Sequence, residues 1–139
     1  MNINKVVIIG SGTMGSGIAA HLCNANIPVI LLDLKTEIAE RAKERILKSR
    51  PPLLFEQSRI NTLKTGNISD DFENVCDADW IIEAVVERID IKHKIYEQIF
   101  KSRKKESIVS SNTSTIPLKV LSQKLSNADK KDFCITHFF

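Results

Sequence analysis

Three glycines near the amino terminus have a spacing that suits the binding of a pyrophosphate. Residues 5–9 are rich in hydrocarbon side chains and run directly into Gly10-Ser11-Gly12-Thr13-Met14-Gly15, which has the pattern G-x-G-x-x-G. In such a loop the first glycine permits a sharp turn, the second lets the backbone approach phosphate oxygens, and the third allows a helix to pack closely on the strand. The first turn of that helix would direct free N–H groups and a positive dipole end at the anion.

An acidic residue follows the glycine loop at the distance expected of a dinucleotide-binding unit. Asp33 ends a second apolar run, residues 27–33. Its separation from the glycine loop along the chain is close to the ~20 residues that are usual in dinucleotide-binding units. A carboxylate in this position can accept hydrogen bonds from both adenine-ribose hydroxyls and would repel a 2′-phosphate. The pattern therefore predicts NAD rather than NADP, although Lys35 lies nearby. A glycine turn without a ligand is the alternative, because G-x-G-x-x-G also occurs by chance.

Strands and helices are predicted to alternate along the chain. Apolar runs indicate strands over residues 5–9, 27–33, 80–87, 107–111 and 133–139. Periodicity and capping residues indicate helices after residue 15 and over residues 36–49, 90–102 and 117–125. Residues 53–67 predict a short irregular or helical connection that ends in a turn at Thr65-Gly66-Asn67, and residues 68–75 predict a short strand or one helical turn. The alternation predicts an α/β fold: a Rossmann-type doubly wound, mainly parallel sheet with helices on both faces, in one domain of residues 1–139.

Polar residues follow three further predicted strands, at residues 83–87, at residues 112–114 and at His137. Because the carboxyl ends of parallel strands meet at one edge of a sheet, these residues should converge with the glycine loop and Asp33. Each group also has a simpler explanation. His137 could be an ordinary half-buried histidine without a catalytic role. Residues 112–114 could simply precede a helix, and Glu87 and Lys92 could lie on a face exposed to solvent.

Composition excludes several functional classes. The chain is 42% hydrophobic and 27% charged, which is typical of a globular domain. A net charge of +3 without interleaved basic and aromatic residues argues against nucleic-acid binding. We expect no membrane association, because no apolar run is long enough to span a bilayer and no signal peptide is recognisable.

The cysteines and histidines do not form a metal-binding pattern. The three cysteines are far apart and lack a C-x-x-C pair, which predicts reduced thiols and a cytoplasmic location. The three histidines are not at ligand spacing with cysteines or carboxylates, so no metal site is expected.

Four short motifs occur in a fixed order along the chain. They are Gly10-Ser11-Gly12-Thr13-Met14-Gly15-Ser16-Gly17-Ile18-Ala19, Glu83-Ala84-Val85-Val86-Glu87, Ser111-Asn112-Thr113-Ser114 and His137-Phe138-Phe139. Together they resemble the NAD-binding domain of the 3-hydroxyacyl-CoA dehydrogenases, including the versions within multifunctional fatty-acid oxidation proteins. The resemblance covers essentially the whole chain. It implies NAD-dependent oxidation of a 3-hydroxyacyl-CoA to the 3-oxoacyl-CoA, a step of fatty-acid β-oxidation.

The resemblance also implies roles for individual residues. His137 matches the catalytic base of the family, which takes the proton of the 3-hydroxyl group, and Ser114 matches the serine that hydrogen-bonds the substrate oxygen. The positions implied to bind the cofactor are Gly10, Ser11, Gly12, Thr13, Met14, Gly15, Asp33, Leu34, Ala84, Val85, Glu87, Lys92, Asn112 and Ser114. No residue is assigned to CoA, because the segment before Trp80 is shorter than the helical arm that many members use.

The sequence departs from the family pattern after its last motif. Members continue into an Asn-Pro pair, a glutamate that pairs with the histidine, and a helical domain for substrate binding and dimerisation. We expect these parts to be absent and the catalytic site to be incomplete, with an exposed apolar end at residues 133–139 that associates or frays. The alternatives are a non-catalytic NAD-binding fragment, half of a split enzyme completed by a second chain, or another hydroxyacid dehydrogenase. The expected partners are an acyl-CoA and either a complementing chain or a second copy.

Overall fold

A computed structural model describes residues 2–138 as a parallel sheet enclosed by helices. The strands are β1 (Val6–Ile9), β2 (Val29–Asp33), β3 (Leu63–Asn67), β4 (Trp80–Glu83), β5 (Ile108–Ser111) and β6 (Phe133–Ile135). The α-helices are α1 (Thr13–Asn24), α2 (Thr36–Lys48), α3 (Ile89–Ser102) and α4 (Leu118–Leu121), and 3-10 helices span Gln57–Thr62, Phe72–Asp77 and Asp129–Asp132. The strand order is β3-β2-β1-β4-β5-β6 and every neighbouring pair is parallel. This topology confirms the predicted doubly wound fold.

Helices cover both faces of the sheet, and each face has its own apolar core. Alternate side chains of β1 point to opposite faces. Val6 and Ile8 pack with residues of α1 and α2, such as Ile18 and Ile46, whereas Val7 and Ile9 belong to the core that includes residues of α3 and α4. Burial on both faces explains why the central strands are continuous apolar runs rather than alternating ones.

The prediction for residues 53–67 was wrong at its end. Residues 65–67, expected to form a turn, lie in β3, which pairs with β2 along its whole length. β3 is an edge strand with a mixed sequence, so pairing with β2 rather than local propensity determines its conformation. Gly66 allows the side chain of Asp71 to lie close to the backbone of β3, because a Cβ on residue 66 would clash with that side chain. The following segment, for which a short strand or one helical turn was predicted, contains the 3-10 helix Phe72–Asp77, in agreement with the second alternative.

Three predicted elements are shorter in the structure. The strand expected over residues 80–87 ends at Glu83 as β4, and residues 84–87 form the turn that follows it. The helix expected to reach residue 125 is the single turn α4, and Pro117 is its N-cap residue rather than its first helical residue. Leu118 and Val120 of this turn are largely exposed, so it offers no long apolar stripe that could stabilise a longer helix. The last strand ends at Ile135. Phe139, part of the predicted strand and of the last motif, lies outside the described residues.

The remaining helix boundaries agree with the predictions to within about two residues. In α2 the buried stripe is Ala39, Ala42 and Ile46, whereas Ile38 is exposed. Within residues 2–138, no helix is long and apolar enough to cross a membrane.

Candidate functional site

The glycine loop joins β1 to α1 and leaves open space above the start of the helix. Gly10 has φ +105°, a conformation that L side chains rarely adopt, and a Cβ on Gly15 would clash with the carbonyl oxygen of Gly10. Gly12, by contrast, has no atom within 4 Å of the position that its Cβ would occupy. It precedes α1 as the N-cap residue without a side-chain cap. The side of the first helical turn next to Gly12 is thus open, and N–H groups at a helix start are suited to an anion.

Asp33 lies beside the glycine loop and hydrogen-bonds it. Its Oδ2 accepts hydrogen bonds from the backbone N–H and the hydroxyl of Ser11, at 2.8 and 2.5 Å, and its Oδ1 accepts one from the N–H of Leu34 at 2.7 Å. On the other side, Arg45 of α2 donates to the carbonyl oxygen of Ser11 at 2.9 Å. The carboxylate at the end of β2 therefore fixes the conformation of the loop, in addition to lying where a ribose could be recognised. Leu34 is 74% exposed at the same edge.

A fully buried carboxylate, Glu83, ends β4 and accepts four hydrogen bonds. Its Oε1 accepts from Val85 N–H at 2.8 Å and from the ammonium group of Lys92 at 2.7 Å. Its Oε2 accepts from the hydroxyls of Tyr96 and Ser111, each at 2.6 Å. Burial raises the pKa of the Tyr96 phenol, and the charge and hydrogen bond of Glu83 raise it further, so this phenol remains a donor. Glu83 thus ties β4 to α3 and β5.

Glu87 and Lys92 extend these contacts to the turn after β5. The Lys92 ammonium, with 1% of its side chain exposed, lies 3.0 Å from Glu87 Oε1. Glu87 Oε2 accepts hydrogen bonds from the hydroxyls of Thr113 at 2.6 Å and Thr115 at 3.0 Å. Partial burial raises the pKa of Glu87, but the hydrogen bonds from Thr113, Lys92 and Thr115 outweigh this effect and hold the pKa below its ordinary value. Glu87 is therefore ionised at neutral pH.

The polar residues after β5 and β6 lie at the same edge. The Asn112 side-chain oxygen accepts a hydrogen bond from the N–H of Phe138 at 3.0 Å, so the segment that contains His137 runs beside the end of β5. The side chains of Ser114 and His137 are both exposed there. An apolar groove of about 670 Å³ adjoins this edge, and its lining residues include Thr13 and Met14 of α1 as well as Phe55 and Phe138.

The structure brings together the strand-end residues that the sequence selected. The glycine loop and Asp33 lie on the β1–β2 half of the edge, and Ala84, Val85, Glu87, Asn112, Ser114 and His137 lie on the β4–β6 half. Lys92 differs from the others, because its ammonium is enclosed by Glu83 and Glu87 rather than directed into open space.

The hydrogen-bonding roles of Glu83, Tyr96, Ser111 and Thr113 were missed in the sequence. One signal was available, because Glu83 interrupts an apolar run that had to be buried on both faces, and buried carboxylates are rare unless paired. Within residues 2–138, no cluster of three or more histidine, cysteine or acidic residues could hold a metal ion.

Comparison with known proteins identifies the family. Residues 5–139 match the family model described as 3-hydroxyacyl-CoA dehydrogenase, NAD binding domain. The chain belongs to this family. It is 43% identical to a putative fatty acid oxidation complex trifunctional enzyme of Rickettsia felis, over 99% of this chain and 20% of the relative. It is 39% identical to a probable 3-hydroxyacyl-CoA dehydrogenase of Deinococcus radiodurans, over 100% of this chain and 42% of the relative.

Solved structures support the same family. The 3-hydroxybutyryl-CoA dehydrogenase of Escherichia coli K12 superimposes with a TM-score of 0.86 at 29% identity, covering 100% of this chain and 30% of that one. The (S)-3-hydroxybutyryl-CoA dehydrogenase of Ralstonia eutropha gives a TM-score of 0.81 at 29% identity, over 99% and 50% of the two chains. The chain thus spans half or less of these 3-hydroxyacyl-CoA dehydrogenase relatives and corresponds to their NAD-binding part.

Proposed function

We propose that this chain binds NAD along the carboxyl edge of its sheet and serves as the cofactor-binding part of a 3-hydroxyacyl-CoA dehydrogenase. The observation that supports this most strongly is the convergence at one edge of an open glycine loop, the carboxylate of Asp33 and the polar turns after β4 and β5. A dinucleotide on such a fold lies across this edge where the strand order reverses, here between β1 and β4.

The two halves of the edge would hold the two halves of the cofactor. In this proposal the pyrophosphate lies at residues 10–15, and the adenine ribose lies at Asp33 and Leu34. The nicotinamide half lies along Ala84, Val85, Glu87, Asn112 and Ser114. Lys92 would act on the cofactor by orienting Glu87, since its ammonium group is enclosed by the two carboxylates.

The proposed reaction is the oxidation of a 3-hydroxyacyl-CoA. The cofactor held at this edge would supply the acceptor for the hydride that leaves C3 of the substrate. His137 would take the proton of the 3-hydroxyl group, a task for which a neutral imidazole is suited near pH 7. Ser114 would hydrogen-bond the same substrate oxygen, and both side chains are exposed at the edge where a substrate could reach them.

The proposal extends to substrate, partners and compartment. An acyl-CoA is the substrate class suggested by the names of the relatives. Because the relatives are longer, we propose that catalysis requires a further segment corresponding to the rest of the relatives, which a complementing chain or a second copy can supply. The cysteines Cys23, Cys76 and Cys134 are all free thiols, which favours a reducing compartment such as the cytoplasm.

The proposal is tested by titrating the 139-residue chain with NADH, followed by fluorescence, and by assaying the reduction of acetoacetyl-CoA in the same solution. We expect saturable binding of NADH. Binding without turnover would indicate that the chain holds the cofactor but needs another segment for catalysis. Turnover would indicate that His137 and Ser114 are sufficient for catalysis without that segment. Absence of binding would refute the proposed function.

Two glycine variants provide a matched comparison for this titration. Gly15→Ala should reduce NADH affinity by at least an order of magnitude, because the added methyl group clashes with the Gly10 carbonyl and displaces the loop. Gly17→Ala, two residues away in the same helix, should leave the affinity unchanged, because no atom lies within 4 Å of the added Cβ. Equal effects of the two substitutions would argue against binding at the glycine loop.

A further inference from the structure

Two carboxylates share a single ammonium group beside the turn that follows β4. Lys92 Nζ lies 2.7 Å from Glu83 Oε1 and 3.0 Å from Glu87 Oε1. With both carboxylates ionised, this cluster of Glu83, Glu87 and Lys92 carries one net negative charge. The location of that charge depends on which of the two carboxylates the ammonium neutralises.

Of the two carboxylates, Glu83 is the one that the ammonium group of Lys92 neutralises. Each of its four hydrogen-bond partners donates to it, and the two on Oε1, the Val85 N–H and the Lys92 ammonium, have no lone pair with which to accept. A proton on Oε1 would therefore have no acceptor, and a proton on Oε2 would displace the hydrogen bond that a hydroxyl of Tyr96 or Ser111 donates there. An ionised carboxylate with no exposed surface also requires a close counter-ion, because burying an unpaired charge is very costly. Lys92, equally buried, supplies that counter-ion.

The uncompensated charge consequently lies on Glu87, the member of the cluster that reaches solvent. Its side chain is 41% exposed, and its other partners are the neutral hydroxyls of Thr113 and Thr115. The neighbouring guanidinium of Arg88 pairs with Asp90 at 2.8 Å. The fixed negative charge thus faces the edge at the turn after β4.

This position belongs to the half of the sheet that would hold the nicotinamide. The glycine loop and Asp33 take the pyrophosphate and adenine ribose on the β1–β2 side, which leaves the turns after β4 and β5 for the second mononucleotide. The nicotinamide ring is positively charged in NAD+ and neutral in NADH, whereas the rest of the molecule is unchanged. We propose that the charge of Glu87 makes this site discriminate between the two redox forms and shifts its preference toward NAD+. This inference rests on the proposed binding of NAD at this edge.

The test compares the dissociation constants of NADH and NAD+ for the wild-type chain and for Glu87→Gln. NADH binding is followed by fluorescence, and NAD+ binding by competition with NADH. The glutamine retains the size of the side chain, and its single oxygen can replace one of the two oxygens that contact Thr113 and Lys92, but it removes the charge. We expect the ratio Kd(NADH)/Kd(NAD+) to fall by roughly tenfold, the order of effect of one nearby unit charge outside bulk water.

Asp90→Asn provides the matched control. It removes one carboxylate charge three residues further along the chain, at the start of α3, from a residue that pairs with Arg88 rather than with Lys92. We expect this variant to leave the ratio unchanged within about twofold. Thermal unfolding of both variants shows whether either substitution perturbs the fold.

The outcomes separate this inference from the proposed function. A fall in the ratio with Glu87→Gln but not with Asp90→Asn supports it. If the wild-type chain binds both forms and Glu87→Gln weakens them equally, or leaves both affinities unchanged, the charge does not select the redox state and the inference is wrong. If the wild-type chain binds neither form, the proposed function itself fails and the inference fails with it.

Discussion

Replacing Lys92 by methionine should sharply reduce the free energy of unfolding. The side chain of Lys92 is 1% exposed, and its ammonium group lies 2.7 Å from the fully buried carboxylate of Glu83. Methionine fills most of the same volume but leaves Glu83 without a counter-ion. The hydrogen bonds from Val85, Tyr96 and Ser111 remain, but they do not neutralise a charge.

The expected loss is about 3–5 kcal/mol, the usual cost of removing one partner of a buried ion pair. This is a large part of the roughly 5–15 kcal/mol that stabilises a typical domain. For a chain of this size it corresponds to a fall in Tm of roughly 10–17 °C. If the cost comes from the stranded charge, Glu83→Gln in the Lys92→Met background should recover at least about 1 kcal/mol, because a neutral amide is much less costly to bury.

The assay is urea denaturation followed by circular dichroism, for the wild type, both single variants and the double variant. Lys94→Met is the matched control, because Lys94 is an exposed lysine two positions along the same helix. This control should change the free energy of unfolding by no more than about 0.5 kcal/mol. If Lys92→Met costs less than about 1 kcal/mol, or if Glu83→Gln adds to its cost instead of relieving it, the account of Glu83 as a buried charge held by Lys92 is refuted.

Two further predictions concern the ends of β2 and β6. Asp33→Ala should weaken NADH binding in the fluorescence titration, because it removes both the proposed ribose acceptor and the carboxylate that holds Ser11. Each lost hydrogen bond is worth about 0.5–1.5 kcal/mol, and more for a charged acceptor. An unchanged affinity would contradict the assignment of Asp33 to the cofactor site. His137→Ala should leave NADH affinity within about twofold, since this exposed residue is assigned to the substrate, and it should abolish any reduction of acetoacetyl-CoA. A large loss of NADH affinity would show that His137 is wrongly placed.

The central strands and long helices could be predicted because their signals are local. β1, β2 and β4 are apolar runs buried on both faces, and α1 and α3 carry apolar residues at helical spacing. β3 could not be predicted in this way. Its sequence contains Thr65-Gly66-Asn67, which favours a turn in isolation, and its conformation depends on pairing with β2 and on the close approach of Asp71 to Gly66. Long-range contacts of this kind leave no periodic signal in the sequence.

The candidate site was predictable to the level of strand ends but not to the level of side-chain contacts. A parallel sheet necessarily places Asp33, residues 84–87 and residues 112–114 at one edge. That Lys92 is enclosed rather than open to a ligand depends on how α3 packs over β4, which the sequence pattern does not specify. The same packing brings the hydroxyl of Tyr96 within 2.6 Å of Glu83 Oε2.

The turn after β4 connects the two halves of the edge mechanically. On one side, Gly10 packs so closely that a Cβ there would clash with the backbone of Ala84 and Val85. On the other side, Glu83 binds the N–H of Val85 while it holds Lys92 and Ser111, and Lys92 in turn holds Glu87 against Thr113. A displacement of this turn would therefore move the glycine loop and the turn after β5 together. A buried carboxylate with all its acceptor positions filled resists such a displacement, because any shift leaves a charge or a donor unpaired in the interior. The polar interruption of an otherwise apolar strand is thus best explained as the element that keeps the two halves of the proposed cofactor site in register.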